Sequence, residues 1–149
     1  MSEEKIEVKL ECFANNDIKI YFGSRVLPDL LIAKSKVAQE KLGGEARALL
    51  AASVAECMVS WLTFLLNKSR IKFNSVKALT EVITGLNERE QNVVKEINLT
   101  VDVEVEDCNQ RFEHIKNILT KQGCLLSRSL EKGIKVNFFI RKVKEGNVQ

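Results

Sequence analysis

The sequence contains few of the residues from which metal, phosphate and disulfide sites are usually built. Its 149 residues include a single His and only seven Gly, which are scattered along the chain. One histidine does not support a histidine-based metal site, and scattered glycines do not form a phosphate-binding loop. The four cysteines, Cys12, Cys57, Cys108 and Cys124, include no CxxC pair. This spacing argues against structural zinc and against the disulfide framework of a secreted protein.

A strong charge of one sign and an apolar leader are also missing. The net charge is only +3 at pH 7. Lys and Glu are interleaved rather than clustered, so the sequence lacks the basic patch typical of nucleic-acid-binding proteins. The charged start, Met1–Lys5, is not followed by the apolar core of a signal peptide. With 45% apolar residues, we expect one globular domain over residues 1–149, in the cytoplasm and without a nucleic-acid partner.

The longest uninterrupted segment, Glu45–Lys68, contains neither Pro nor Gly and is rich in Ala and Leu. Its composition and length predict a helix. The polar residues of its core recur every three or four positions and form one narrow stripe. A helix that is apolar on its other sides is expected to be buried on most sides. Cys57 lies in the middle, one residue after Glu56 and beside the stripe, and we expect the chemistry there.

A membrane-spanning helix is the alternative interpretation of this segment. The nineteen residues from Ala48 to Leu66 are just enough to cross a bilayer. Glu56 lies at their centre, where a carboxylate is energetically expensive, and the polar stripe adds four further polar side chains, three within this span and Asn67 directly after it. We therefore favour a buried helix of a soluble protein, with no membrane partner.

Apolar-rich and alternating segments predict the strands. They cover residues 6–13, 18–23, 76–84, 97–105 and 134–140. The first two are joined by turn residues and form a hairpin, and Cys12 on its apolar face is expected to be a packing residue. Residues 24–44 are less clear: we prefer a helix, and a short strand over residues 30–33 is the alternative.

A second helix is predicted after the long alternating strand. Asp107 caps it, Gln110 takes the third helical position of a capping box, and Gly123 ends it. The order of elements, with strands before and after an apolar helix, predicts an α+β fold. In this fold antiparallel sheets wrap around the long buried central helix.

A second cysteine, Cys124, follows directly after Gly123, at an element end where it can meet another element. One thiol inside a helix and one at a helix end make a peroxidatic and resolving pair reasonable, since a sulfenic acid on one thiol condenses with the other. Inert packing residues are the alternative, because buried structural cysteines do not react.

Two motifs resemble a known family of thiol-dependent peroxidases. The run from Leu49 to Cys57, LLAASVAEC, resembles the first cysteine helix of the OsmC/Ohr family. The run from Gly123 to Leu130, GCLLSRSL, resembles the second motif of that family, usually Cys-Pro-Val-Ser. The resemblance extends over residues 45–140. It implies an OsmC-like intertwined homodimer with its two central helices buried back to back, an active site at each subunit interface, and no metal or flavin cofactor.

The same resemblance implies the roles of the two thiols. Cys57 is the peroxidatic nucleophile and Cys124 the resolving thiol in the reduction of organic hydroperoxides to alcohols, with hydrogen peroxide as an alternative substrate. A small thiol or a dihydrolipoyl dithiol then reduces the disulfide between Cys57 and Cys124.

The Arg–Glu pair that stabilises the thiolate in this family has no direct counterpart. Arg47 stands where many members have Glu, ten residues before the first cysteine, and Leu125 replaces the Pro after the second. A thiolate in the middle of a helix gains little from the helix dipole, so a cation must lower its pKa if it is to react fast. The candidate cations are Arg25, Arg47 and Arg128, and the candidate supporting carboxylates are Glu45 and Glu56.

Two functions from different classes are consistent with these observations. The first is a two-cysteine hydroperoxide reductase. The second is a protein of the same fold that has no efficient peroxidase activity and serves as a binding or stress-related module. Counting thiols after treatment with a hydroperoxide distinguishes the two.

Overall fold

The computed structural model describes residues 3–106 and 110–144. The chain divides into two compact units, residues 1–45 and 46–149. The predicted single domain over the whole chain stays a prediction. Asp107, which was expected to cap the second helix, and Cys108 lie outside the described residues.

The first unit holds a three-stranded antiparallel sheet in the order β1-β2-β3, with strands Lys9–Cys12, Ile18–Tyr21 and Leu30–Ile32. β1 and β2 form the predicted hairpin. Asn16 in its turn has φ 73°, a left-handed conformation that Asn tolerates better than most residues. Cys12 ends β1 and is exposed, so the prediction that it is a packing residue is wrong within the single chain.

The helix preferred for residues 24–44 is wrong, and the alternative strand over residues 30–33 is confirmed. β3 pairs with β2, with Ile18 opposite Ile32. Two short 3-10 turns, Lys34–Lys36 and Gln39–Lys41, follow the strand. The apolar run is only four residues long, so its local preference is weak and pairing with an adjacent strand decides its conformation.

The described residues of the second unit form three helices and three strands. In chain order they are α1 (Glu45–Lys68, whose first residue ends the first unit), β4 (Phe73–Leu86), β5 (Asn92–Val105), α2 (Gln110–Gln122), α3 (Leu125–Leu130) and β6 (Lys135–Val143). The two long helices and all three strands were predicted, although β4 and β5 begin earlier than their patterns indicated. The short helix α3 was not predicted.

The sheet of the second unit has the order β4-β5-β6. β4 and β5 form a long antiparallel pair, as expected. β5 and β6 run parallel, with Ile97 opposite Val136 and Val101 opposite Ile140. The expectation of purely antiparallel sheets is therefore wrong for β6. The reason is the connection, because α2 and α3 form a crossover that returns the chain to the edge of the sheet in the same direction.

One face of β5 forms the centre of the core. Its alternate residues from Ile97 to Val105 are buried, as the period-two pattern predicts. The two long helices contribute to the same core. Their buried residues in this cluster are Met58, Leu62 and Leu66 from α1 and Phe112, Ile115 and Leu119 from α2. The regular spacing of these residues places each set on one face of its helix.

α1 is buried along one stripe only in the single chain, so the expectation of burial on most sides is not met there. Trp61 and Phe64 remain 37% and 52% exposed, and their rings stack with centroids 5.3 Å apart. By length and composition alone, the helical stretch Gln39–Lys68 is also long and apolar enough to cross a membrane, a test that core helices of soluble proteins pass as well.

Candidate functional site

Cys57 lies in the middle of α1, on the edge of the buried stripe. It is half-buried and packs against the core cluster, next to the buried Met58. Glu56, the preceding residue, is exposed and accepts a hydrogen bond from Ser60 Oγ one turn later on the helix. Cys57 therefore packs against the apolar core and has the exposed carboxylate of Glu56 next to it.

Gly123 makes the turn that brings Cys124 into the core. It has φ 63° and its N–H donates to Leu119 O at 2.8 Å, which closes α2 in the way predicted. The chain turns immediately into α3, with Cys124 at the N-cap. Cys124 is only 2% exposed. The elements predicted from the sequence leave only the strand over residues 134–140 after Cys124, whereas in the structure this thiol lies between two helices.

The start of α3 has the arrangement of a capping box. Ser127 Oγ accepts a hydrogen bond from Cys124 N at 2.9 Å and donates to Cys124 O at 3.1 Å. Ser127 stands three residues after Cys124, which is the spacing of such a box. That spacing is the signal in the sequence that would have revealed both α3 and Ser127. Leu125 occupies the first helical position, where the Pro of the family motif is also favourable, so this replacement preserves the local structure.

The two predicted thiols meet in the structure. The Cys57 thiol lies beside the Cys124 side chain and the backbone N–H of Leu126, close enough for both groups to affect its ionisation. Burial raises the pKa of the Cys57 thiol above its ordinary value, and the neighbouring Cys124 and Glu56 raise this pKa further. The Leu126 N–H acts in the opposite direction because it stabilises the thiolate.

An open cleft of about 400 Å³ leads to the thiol pair. Its polar lining consists of Glu56, Ser60 and Arg128, and its apolar lining of Trp61 and Leu125, which is 64% exposed. Both thiols line the same cleft. A small molecule that enters it therefore meets a half-buried nucleophile with an apolar wall on one side.

The three candidate arginines occupy different places. Arg128 lines the cleft, but its Nη1 donates to Gln122 O at 3.1 Å, the last carbonyl of α2, and to Gly123 O at 3.2 Å, the carbonyl that follows it. Arg47 is ten residues before Cys57 on α1, about 15 Å along the helix axis at 1.5 Å per residue. Arg25 lies in the first unit, between β2 and β3. Activation of the thiolate by one of the three stays a prediction.

The two candidate carboxylates also differ. Glu56 lines the cleft, and its charge raises the pKa of Cys57, which is the opposite of support for the thiolate. Glu45 begins α1, where its Oε1 accepts a hydrogen bond from Gly43 N at 3.1 Å. A support role for either carboxylate stays a prediction and requires a cation between the carboxylate and the sulfur.

The raised pKa predicts a strong pH dependence of thiol reactivity. Only the thiolate is nucleophilic, so the rate at which iodoacetamide alkylates Cys57 should increase about tenfold per pH unit through pH 7 to 8.5. Glu56→Gln should shift this profile to lower pH because the negative charge beside the sulfur is removed. The rate is measured by peptide mass spectrometry on Cys57. A profile that is already flat above pH 7 would show that a cation lowers the pKa.

Comparisons with known proteins give the family context of this site. Residues 39–139 match the family model of OsmC-like proteins. This range includes Cys57, Cys124 and every residue that lines the cleft. No curated protein is significantly similar to the chain.

Solved structures share the fold at low sequence identity. An OsmC-like protein from Mycoplasma pneumoniae is 14% identical, with a TM-score of 0.73 over 95% of this chain and 99% of its own. An organic hydroperoxide resistance protein from Legionella pneumophila is 18% identical, with a TM-score of 0.61 over 94% and 98%. The organic hydroperoxide resistance protein OhrB from Bacillus subtilis is 18% identical, with a TM-score of 0.60 over 93% and 98%. These similarities confirm the predicted OsmC-like α+β fold.

Proposed function

Because the chain belongs to the OsmC family, we propose that it is a thiol-dependent peroxidase that reduces organic hydroperoxides. Cys57 is the peroxidatic thiol and Cys124 the resolving thiol. The observation that supports this proposal most directly is the contact between the two thiols at the bottom of an open cleft. The cysteines are 67 positions apart in the sequence, and two neighbouring thiols are the arrangement that a resolving reaction needs.

The reaction has three steps. The Cys57 thiolate attacks the distal oxygen of the hydroperoxide, the O–O bond breaks, and the departing alkoxide takes up a proton to become the alcohol. Cys57 is left as a sulfenic acid. The Cys124 thiolate then attacks the sulfenic sulfur, which forms the disulfide and releases water. A dithiol reductant, such as a dihydrolipoyl group, restores both thiols by exchange and becomes the cyclic disulfide.

The lining of the cleft favours organic hydroperoxides over hydrogen peroxide. Trp61 and Leu125 present exposed apolar surface beside the thiols. Burial of an alkyl or aryl group against this surface contributes about 25 cal/mol per Å², which hydrogen peroxide cannot gain. We place the reaction in the cytoplasm, where a reducing environment keeps the thiols in the free state that they have in the structure.

Peptide mapping of the oxidised protein tests the function. One equivalent of cumene hydroperoxide should consume two thiols and link Cys57 to Cys124, because these thiols are already in contact. Cys12, which is exposed, and Cys108, which belongs to neither cysteine motif, should remain free and serve as internal controls. A link that involves Cys12 or Cys108, or no loss of thiols, would contradict the proposal.

The raised pKa of Cys57 supports a second candidate. A thiol that is mostly protonated at neutral pH reacts slowly. Among the described residues, none of the groups that shift the pKa of Cys57 is an arginine. A protein with this site that uses the cleft for binding in a stress response would retain both thiols after peroxide treatment. The mapping experiment therefore separates the two candidates.

We also expect a homodimer. On α1, Leu49, Trp61 and Phe64 are each more than a third exposed, and in the first unit Ile6 and Leu10 are more than half exposed. Apolar surface on this scale usually marks an interface. Light scattering at micromolar concentration should give about twice the chain mass of 16.9 kDa. A stable monomer at that concentration would be inconsistent with the intertwined architecture.

A further inference from the structure

Ser127 is unusual among the residues that the structure describes, because it is the only polar or charged residue that is buried, with 2% of its surface exposed. Its hydroxyl is fully used: Oγ accepts from Cys124 N at 2.9 Å and donates to Cys124 O at 3.1 Å. Both partners are backbone groups of Cys124, the residue that carries the second thiol of the pair. A hydroxyl that clamps both backbone groups of one residue fixes its orientation.

The first turn of α3 carries two groups that face Cys57. One is the Cys124 side chain and the other is the backbone N–H of Leu126. Cys124 and Leu126 flank the first residue of the helix, so their directions change together if this turn loosens. The two hydrogen bonds between Ser127 and the Cys124 backbone close this same turn.

We propose that Ser127 is a positioning residue for the thiol pair. By holding the backbone of Cys124, it directs the Cys124 thiol and the Leu126 N–H at the Cys57 sulfur. The proposed effect on the resolving reaction rests on the proposed peroxidase function, whereas the effect on the ionisation of Cys57 does not. The Ser127 hydroxyl bonds to the backbone of Cys124 and acts on the reacting sulfur through Cys124 and Leu126.

The surroundings of Ser127 show how closely this clamp is fitted. A Cβ on Gly123 would collide with Ser127 Oγ, so the space that a glycine leaves is filled by the hydroxyl. The Arg128 side chain also anchors α3 at the end of α2, because its Nη1 donates hydrogen bonds to Gln122 O and Gly123 O. α3 is therefore anchored from two sides. The Arg128 backbone N–H also donates to Cys124 O, at 3.0 Å, whereas Cys124 N is held by the Ser127 hydroxyl.

Ser129 provides a matched control in the same helix. Its hydroxyl also bonds to a backbone carbonyl, but the residue is exposed and its partner is Leu125 O, at 2.8 Å, rather than Cys124. Ser127→Ala and Ser129→Ala each remove one hydroxyl and add no atoms. A general weakening of α3 would affect both variants, whereas loss of positioning affects only the first.

Two readouts test the proposal, both at a temperature well below the melting temperature of each variant. The first is the rate of disulfide formation after one equivalent of cumene hydroperoxide, compared with the rate of sulfenic acid formation. Ser127→Ala should slow disulfide formation by about tenfold or more, since a misplacement of 1 Å can cost up to ~10²-fold. Dimedone should then trap the accumulated sulfenic acid on Cys57.

The second readout is the pKa of Cys57 from its alkylation profile. Ser127→Ala should shift this pKa away from the wild-type value, because it releases both the Leu126 N–H, which lowers the pKa, and the Cys124 side chain, which raises it. Ser129→Ala should match the wild type in both readouts. If Ser127→Ala does not fold, Ser127→Thr and Ser127→Val replace it, since they have nearly the same shape and only Thr keeps the hydroxyl.

Wild-type disulfide formation and an unchanged Cys57 pKa in Ser127→Ala would overturn the inference. Equal losses in the two alanine variants, or equal behaviour of the Thr and Val variants, would overturn it as well. If the wild type itself forms no link between Cys57 and Cys124, the proposed function fails. The comparison of the Cys57 pKa between Ser127→Ala and the wild type then still tests the positioning role of Ser127.

Discussion

Replacing Cys57 with Ser should abolish hydroperoxide reduction. The serine hydroxyl is not ionised at neutral pH and does not form a sulfenic acid, so we expect turnover to fall by at least ~10³-fold, as losses of essential nucleophiles typically do. Turnover is measured as consumption of cumene hydroperoxide in the presence of a dithiol. Ser is nearly isosteric with Cys, so the core around Met58 should be preserved and the melting temperature should change little.

Cys124→Ser and Cys12→Ser are the matched controls for this experiment. Cys124→Ser should still consume one equivalent of hydroperoxide, and its sulfenic acid on Cys57 should persist long enough for dimedone to trap it. Cys12→Ser should behave as the wild type, because Cys12 is an exposed residue of the first unit. Peroxide consumption at the wild-type rate by Cys57→Ser would disprove the assignment.

Gly123→Ala should cause the largest loss of stability among conservative changes near the site. At φ 63° a residue with a Cβ loses about 1–2 kcal/mol. The added Cβ also collides with Ser127 Oγ, and displacement of that buried hydroxyl leaves Cys124 N without its partner, at a cost of about 1–3 kcal/mol. We expect a decrease of about 3 kcal/mol in the free energy of unfolding, which corresponds to ~6–12 °C in melting temperature.

Gly133→Ala is the control for this change. A Cβ at Gly133 meets no atom within 4 Å, and the residue has no left-handed φ. Its substitution should be neutral or stabilise the protein by up to about 1 kcal/mol. Urea unfolding is measured for both variants at one protein concentration, because the stability of a dimer depends on concentration. Equal stabilities of the two variants would show that the turn at Gly123 is not strained by a side chain.

Local patterns were sufficient for the parts of the fold that have a strong period or a clear stop signal. The alternation from Ile97 to Val105 predicted the central strand, because every second residue meets the core. The absence of Pro and Gly predicted α1. Gly123 predicted the end of α2, because the left-handed conformation at a helix end favours glycine.

Patterns failed where the segment was short. β3 has three residues and α3 has six, which is too few for a hydrophobic period to be distinguished from chance. The pairing of β3 with β2 and the clamp by Ser127 decide these two conformations instead. The direction of β6 was also missed, because it depends on the path of the crossover rather than on the residues of the strand.

The candidate site shows the same division. The sequence by itself determined which two cysteines are of interest, since their motifs resemble those of one family. The helix around Cys57 follows from its composition, and the helix end before Cys124 follows from Gly123. Only the tertiary structure decided that the two sulfurs meet, that Leu126 N–H points at Cys57, and that Glu56 opposes its ionisation. These facts depend on which groups lie within a few ångströms of the half-buried Cys57 sulfur. Such distances are set by packing between elements that are far apart in the chain, and local pattern carries no information about them.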